Sequence, residues 1–225
     1  TAALRKAGKG LTLEIGSGLS PTVDESEGVV FSELSFSALR TLRNRRGRGM
    51  YVAADAGRLP FRAATFARIV CSEVVEHLPD DRPAFGEMAA ALRPGGSLIL
   101  TFPHRRGYFA CDDRFVRHYR RYELADVEDR LREAGLIAVE VRKVLGPLEK
   151  VTMILVTACI SAFRPTVAGR DSAARGGTEQ RILPLLFLWL NRLYCLPVRL
   201  DNWLAPRALS AVLLVRSVKG ENRNR

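Results

Sequence analysis

Leu11-Thr-Leu-Glu-Ile-Gly-Ser-Gly18 is a short apolar run that passes into a glycine-rich turn. Small residues there let the backbone turn tightly and approach a ligand. A Gly-x-Gly turn ends many strands, so its neighbours decide the reading. Glu33 closes a second strand-like run, Gly28 to Ser32, and Asp55 closes a third, Tyr51 to Ala54. A carboxylate at Glu33 suits the two hydroxyls of a ribose. One at Asp55 suits an exocyclic amine. In a doubly wound sheet all three strand ends face one crevice.

The order continues outward from this core. Ala67 to Ser72 is a fourth strand, followed by a helix from about Arg82 to Leu92. Arg93-Pro-Gly-Gly96 stops that helix, and Ser97 to Phe102 is a fifth strand. Leu124, Val127 and Leu131 recur at helical spacing between Glu123 and Ala134, closed by Gly135. Ile137 to Val144 is a sixth strand and Ser210 to Val218 a last one. Alternating strands and helices predict an α/β fold with helices on both faces of a parallel sheet.

The chain has 225 residues, enough for one domain with a sizeable core. Its composition excludes a disordered chain, a collagen and a disulfide miniprotein. Cys71, Cys111, Cys159 and Cys195 form no CxxC, so no zinc ribbon or dithiol motif is written here. No metal is expected. Sparse cysteines and a polar, basic start (Thr1 to Gly10) fit a cytoplasmic protein. The net charge of +11 admits an anionic membrane surface, nucleic acid or an acidic small molecule as partner.

LEIGSG, Glu33, ADAGRLPF (Ala54 to Phe61), TFARIVCSEVVEHL (Thr65 to Leu78) and LRPGGSLILTFP (Leu92 to Pro103) together resemble the successive motifs of class I S-adenosylmethionine-dependent methyltransferases. The likeness is to the small-molecule and quinone-type branch, and it covers roughly residues 10 to 145 plus the final strand. It implies a Rossmann-like three-layer sandwich with a seven-stranded sheet and an antiparallel last strand. It implies S-adenosyl-L-methionine as cofactor. Glu14, Gly16, Ser17 and Gly18 would line its methionine side, Glu33 its ribose, and Asp55 and Ala56 its adenine. Cys71, Ser72 and Glu73 would form the floor beneath the sulfonium. Ser20 replaces the usual third glycine and Ala67 the usual aspartate. A nicotinamide dehydrogenase is disfavoured because Pro21 breaks the G-x-G-x-x-G pattern.

Methyl transfer needs chiefly placement, and a base where the acceptor carries a proton. His77 and His104 follow strands four and five, at the crevice edge, and are the expected bases ahead of His118. The segment Arg105 to Tyr122 interleaves arginines with aromatics. Arg117, Tyr119 and Arg120 are its expected acceptor-binding residues, since guanidinium forks suit carboxylate or phosphate. The rival reading has these arginines pairing with Asp112, Asp113 and Glu123 to dock the segment. The expected acceptor is small or lipid-like and anionic in part. The alternative is a non-catalytic cofactor-binding protein acting as a membrane-associated or regulatory partner. Nucleic acid is disfavoured, since no RNA-binding module is recognisable. Sequence leaves the oligomeric state open.

Residues 1–225 read as a single domain, with residues 146–209 a helical, apolar insertion before the last strand. Val151 to Phe163 is too short for a relaxed bilayer span, and Ile182 to Leu200 carries Pro184, Asn191, Arg192, Pro197 and Arg199. Two readings stand. Either both runs cap the substrate pocket, or they lie on the inner face of an anionic membrane with Trp189, Tyr194 and Trp203 at headgroup depth.

Overall fold

The computed structural model describes residues 10–23, 28–167, 194 and 196–220. Seven strands form one sheet: β1 (Thr12–Ile15), β2 (Val29–Glu33), β3 (Met50–Ala53), β4 (Phe66–Ser72), β5 (Leu92–Pro103), β6 (Leu136–Leu145) and β7 (Val212–Lys219). Their order is β3-β2-β1-β4-β5-β7-β6. All pairs from β3 to β5 are parallel, and β7 runs antiparallel to both β5 and β6. This is the expected Rossmann-like topology.

Burial on both faces explains the near-continuous apolar strands. Leu13, Ile15, Ile69, Leu98 and Leu100 point to one side. They meet Phe85 and Met88 of helix α2 (Arg82–Ala91) and Val127 and Leu131 of α4 (Leu124–Glu133). Phe31, Val70 and Ile99 point to the other, against Leu42 of α1 (Phe36–Arg46). Capping follows local chemistry. The Ser35 hydroxyl accepts from the Ala38 N–H at the start of α1, and Gly47, at φ 70°, closes it. Glu123 and Asp126 form a reciprocal capping box at the start of α4.

β5 begins earlier than Ser97. Phe66 pairs with Leu92 and Arg68 with Ser97, so Arg93 to Gly96 loop out of the register. The tight turn demands glycine: a Cβ on Gly96 would lie 2.8 Å from the Arg93 carbonyl oxygen. Between β6 and β7, helix α5 spans Pro147–Val167, and residues 196–204 are helical. Val151 to Phe163 therefore lies within α5. Residues 182–193 of the second apolar run, Trp189 included, lie outside the described residues. The short helix α3 (Cys111–Phe115) sits in the Arg105 to Tyr122 segment and packs on α5.

Candidate active site

The carboxyl ends of β1, β2, β3, β4 and β5 share one edge, because these strands are parallel. Gly16 and Ser17 donate their N–H groups to the Ser32 carbonyl (2.8 and 3.1 Å), folding the loop back over β2. Gly16 sits at φ +70°, and a Cβ there would lie 2.3 Å from Val74 Cγ2. No other residue fits without displacing the Val74 side chain. Gly18 has φ +52° and open space where its Cβ would be. Its N–H donates to Glu33 Oε2 (2.9 Å), and the Ser35 N–H donates to Oε1 (3.0 Å). Each carboxylate oxygen keeps capacity for a further donor. Asp55 is exposed at its strand end and accepts from the Gly57 N–H (2.8 Å), with Ala56 buried beside it.

Glu14 differs from its expected role. Its carboxylate is buried, 2% exposed, and accepts from the Thr22 and Val23 N–H groups. It pins the loop from beneath, and burial pushes its pKa up. Cys71 is wholly buried, with a thiol pushed far up by burial, so it is inert packing behind the floor. Ser72 and Glu73 sit at the β4 end. Glu73 adopts φ +51°, a costly conformation for a side-chain-bearing residue and of the kind that gathers at functional sites. Its N–H donates to the Thr101 carbonyl (3.2 Å).

A cavity of about 390 Å³ opens beside Glu73. Its polar lining includes Glu73, Thr101, His77, Asp113, His118 and Arg121, with Asp112 and Glu149 beside them; Val116, Val144 and Met153 supply apolar wall. His118 donates through Nδ1–H to Asp113 Oδ1 (3.0 Å). That bond fixes the tautomer and leaves Nε2 as acceptor. The rings of His77 and His118 meet edge to face at 4.7 Å. Burial, then the neighbouring His118, lower the His77 pKa below its ordinary value. Beneath lies Glu76, with no exposed surface and neither carboxylate oxygen hydrogen-bonded among the described residues. Burial and the nearby Glu73 hold its pKa well above the ordinary carboxylate value. Burial also raises Glu73 and Glu149. Glu76, His77 and His118 bring ligand atoms within 4.8 Å of one another, a spacing that would fit around one cation.

An ionic knot holds this wall. Lys150 Nζ, buried in α5, donates to Asp112 Oδ1 and Oδ2 (2.6 and 2.7 Å) and to Asp113 Oδ2 (2.6 Å). Arg121 Nε donates to Asp113 Oδ1 (2.8 Å).

Of the expected bases, only His77 reaches the cavity. His104 is 6% exposed and its Nδ1–H donates to the Ser210 carbonyl (2.9 Å). It fastens β5 to the approach of β7. Arg117, Tyr119 and Arg120 do not line the cavity either. Arg120 is held by the Pro79 carbonyl and lies 3.6 Å from Asp81. Arg106 pairs with Asp126 (2.7 Å). In this structure the arginines of the segment largely dock it. The groups that sequence reading ranked low or passed over are His118, Asp113, Arg121, Glu76 and Glu149. The only signal for them was the Asp112-Asp113 pair upstream of His118.

The sheet order with its antiparallel last strand is that of the Rossmann-like methyltransferase fold. Residues 13–100 match the methyltransferase domain family. It is 32% identical over 99 residues to a demethylmenaquinone methyltransferase of Paenarthrobacter aurescens, covering 43% of this chain and 39% of that protein. It is 26% identical over 137 residues to phosphoethanolamine N-methyltransferase 2 of Caenorhabditis elegans, covering 56% and 31%. The chain thus spans well under half the length of these curated relatives. A solved structure of phosphoethanolamine N-methyltransferase 2 from Haemonchus contortus, in complex with S-adenosyl-L-methionine, superposes with TM-score 0.59 at 19% identity, over 98% of this chain and 52% of that one.

S-adenosyl-L-methionine is the cofactor of this class, and the crevice fits it. The open space at Gly18, the buried Ser17 hydroxyl with no hydrogen-bond partner among the described residues, and the two strand-end carboxylates offer donors, acceptors and close backbone approach.

Proposed function

We propose that this protein methylates a hydroxyl or amine of a small or lipid-like acceptor held in the cavity between Glu73 and α5. The observation that carries this reading is the Asp113–His118 pair on the wall of a cavity that opens beside Glu73 at the carboxyl end of β4. S-adenosylmethionine, when bound, supplies a methyl group activated by a sulfonium. Gly16, Ser17 and Gly18 hold its methionine side, Glu33 its ribose, and Asp55 with Ala56 its adenine. Ser72 and Glu73 form the floor. His118, oriented by Asp113, accepts the acceptor's proton at Nε2 as the new bond forms, with His77 beside it. Val116, Val144 and Met153 receive the apolar part of the acceptor. An anionic group on it would lie outward, toward Arg117, Tyr119 and Arg120. Cytoplasmic placement is part of the same reading.

Calorimetric titration tests the cofactor half. S-adenosylmethionine and S-adenosylhomocysteine should bind the wild type. Asp55→Ala and Glu33→Ala should each weaken both by about tenfold or more, as expected for losing a hydrogen bond to a charged group. Binding of NADH alone, or of none of these, overturns the assignment. A screen of isoprenoid and phosphorylated amine acceptors with labelled methyl donor tests the other half. Cofactor binding with no transfer to any of them favours the regulatory alternative.

A further inference from the structure

The helices between β6 and β7 turn their apolar sides outward. In α5 the buried side chains include Lys150 and Thr157, each 4% exposed. Val151, Leu155, Val156 and Ile160 face out at 52, 61, 45 and 44%. In residues 196–204, Leu196, Leu200 and Leu204 recur every fourth position and share a face. With Trp203 they are 57–77% exposed. A helix folding against water normally places such a stripe toward the core.

These faces belong to fastened elements. Asp201 accepts from the Leu148 N–H (2.8 Å) and so ties residues 196–204 to the first turn of α5. The Tyr194 hydroxyl lies 2.6 Å from the Thr152 hydroxyl. Trp203 borders a shallow groove of about 590 Å³ lined by Arg142, Lys143, Arg199, Arg207 and Asn202, with no carboxylate in its lining among the described residues. Lys143 is drawn in to the Trp203 and Ala205 carbonyls, and Arg142 is shared with Glu140. Arg199 and Arg207 are exposed beside the indole.

We propose that α5 and residues 196–204 form a docking surface for an anionic lipid bilayer. The leucines and Trp203 enter the interface, and the arginine groove meets lipid phosphates. Charge complementarity selects this occupant. A chain of net charge +11, with four cations at the patch, repels a second copy of itself and is drawn to an anionic leaflet. An indole with cations at its edge matches the interfacial zone. No described helix is long and apolar enough to cross a membrane. The same α5 contributes Glu149 and Met153 to the acceptor cavity. Resting on the methyltransferase reading, this names the acceptor's source: an amphiphile carried in the bilayer that enters beside α5.

Vesicle flotation tests the docking without any turnover. The wild type should float with phosphatidylglycerol-containing vesicles at low salt, less so at moderate salt, and not with phosphatidylcholine alone. The exposed-face pair Leu200→Glu with Trp203→Glu, and separately Arg199→Glu with Arg207→Glu, should each weaken vesicle binding about tenfold or more. Thermal unfolding and cofactor titration of both variants should match the wild type, showing that they fold. Wild type that fails to float at low salt overturns the proposal, as does equal flotation of the variants. So does a wild-type dimer that Leu200→Glu dissociates without vesicle binding, which would assign the face to a second copy. Flotation with no cofactor binding leaves the docking standing and removes the methyltransferase reading; the converse pattern does the reverse.

Discussion

Lys150→Met should cost about 3–5 kcal/mol of stability, the largest loss expected from a single substitution outside the apolar core. The ammonium is 4% exposed and contacts both Asp112 and Asp113, themselves 5% and 1% exposed. Methionine conserves much of the volume and removes the charge. Asp113 keeps Arg121 and His118, but Asp112 keeps only an Arg121 nitrogen at 3.9 Å. The penalty is thus a buried carboxylate stripped of its main partner, and Asp112→Asn in the same chain should recover a large part of it. Urea unfolding at neutral pH checks both. The sign of the pH dependence follows from Asp113, whose pKa hydrogen bonds to His118 and Lys150 hold below the ordinary 3.8 despite burial. A depressed carboxylate contributes stability above its unfolded value and loses it as pH falls through the folded one. The gap between wild type and Lys150→Met should therefore narrow below about pH 3.8. An unchanged midpoint at neutral pH would mean that the knot contributes nothing net.

The sheet and the cofactor loop were legible because their determinants are local. β1 to β4 are written as apolar runs with glycine or carboxylate at their ends, and parallel order alone brings Gly18, Glu33 and Asp55 to one edge. The acceptor wall was illegible because it forms by closure. The His118 ring is oriented only when α3 carries Asp113 back to it and α5 brings Lys150 under Asp113. His104 stands at a strand end as a base should, yet its neighbour β7 arrives from the far end of the chain. The Ser210 carbonyl then claims the ring from 106 residues away. Glu14 misled for a simpler reason. Strand alternation turns it inward, where two loop N–H groups take up its charge. The outward face of α5 was not legible in the apolar run Val151 to Phe163, since Lys150 and Thr157 pointing inward is a tertiary outcome.

His118→Ala should lower kcat by about 10²–10⁴-fold on the acceptor that the labelled-donor screen identifies, the range for a positioned base. The affinity for S-adenosylmethionine should be unchanged, because His118 lies on the acceptor side and not at the glycine loop. The argument is geometric. A base must be aimed as well as deprotonated, and His118 lines the cavity with its Nδ1 held by Asp113 and its Nε2 3.8 Å from Glu76 Oε1. His77 lines the same cavity, and its ring packs against His118, so His77→Ala should cost less. His104→Gln should leave kcat unchanged while lowering stability, since its ring serves a backbone carbonyl and lies off the cavity. The pH profile separates the two cavity histidines. An imidazole accepts a proton only when neutral, so activity rises with pH through its pKa and then levels. Burial and the adjacent His118 place the His77 limb below the ordinary 6.5. That limb should disappear in His77→Ala and persist in wild type. A His118→Ala enzyme with wild-type kcat would show that the acceptor arrives already deprotonated, and that the wall of the cavity serves placement alone.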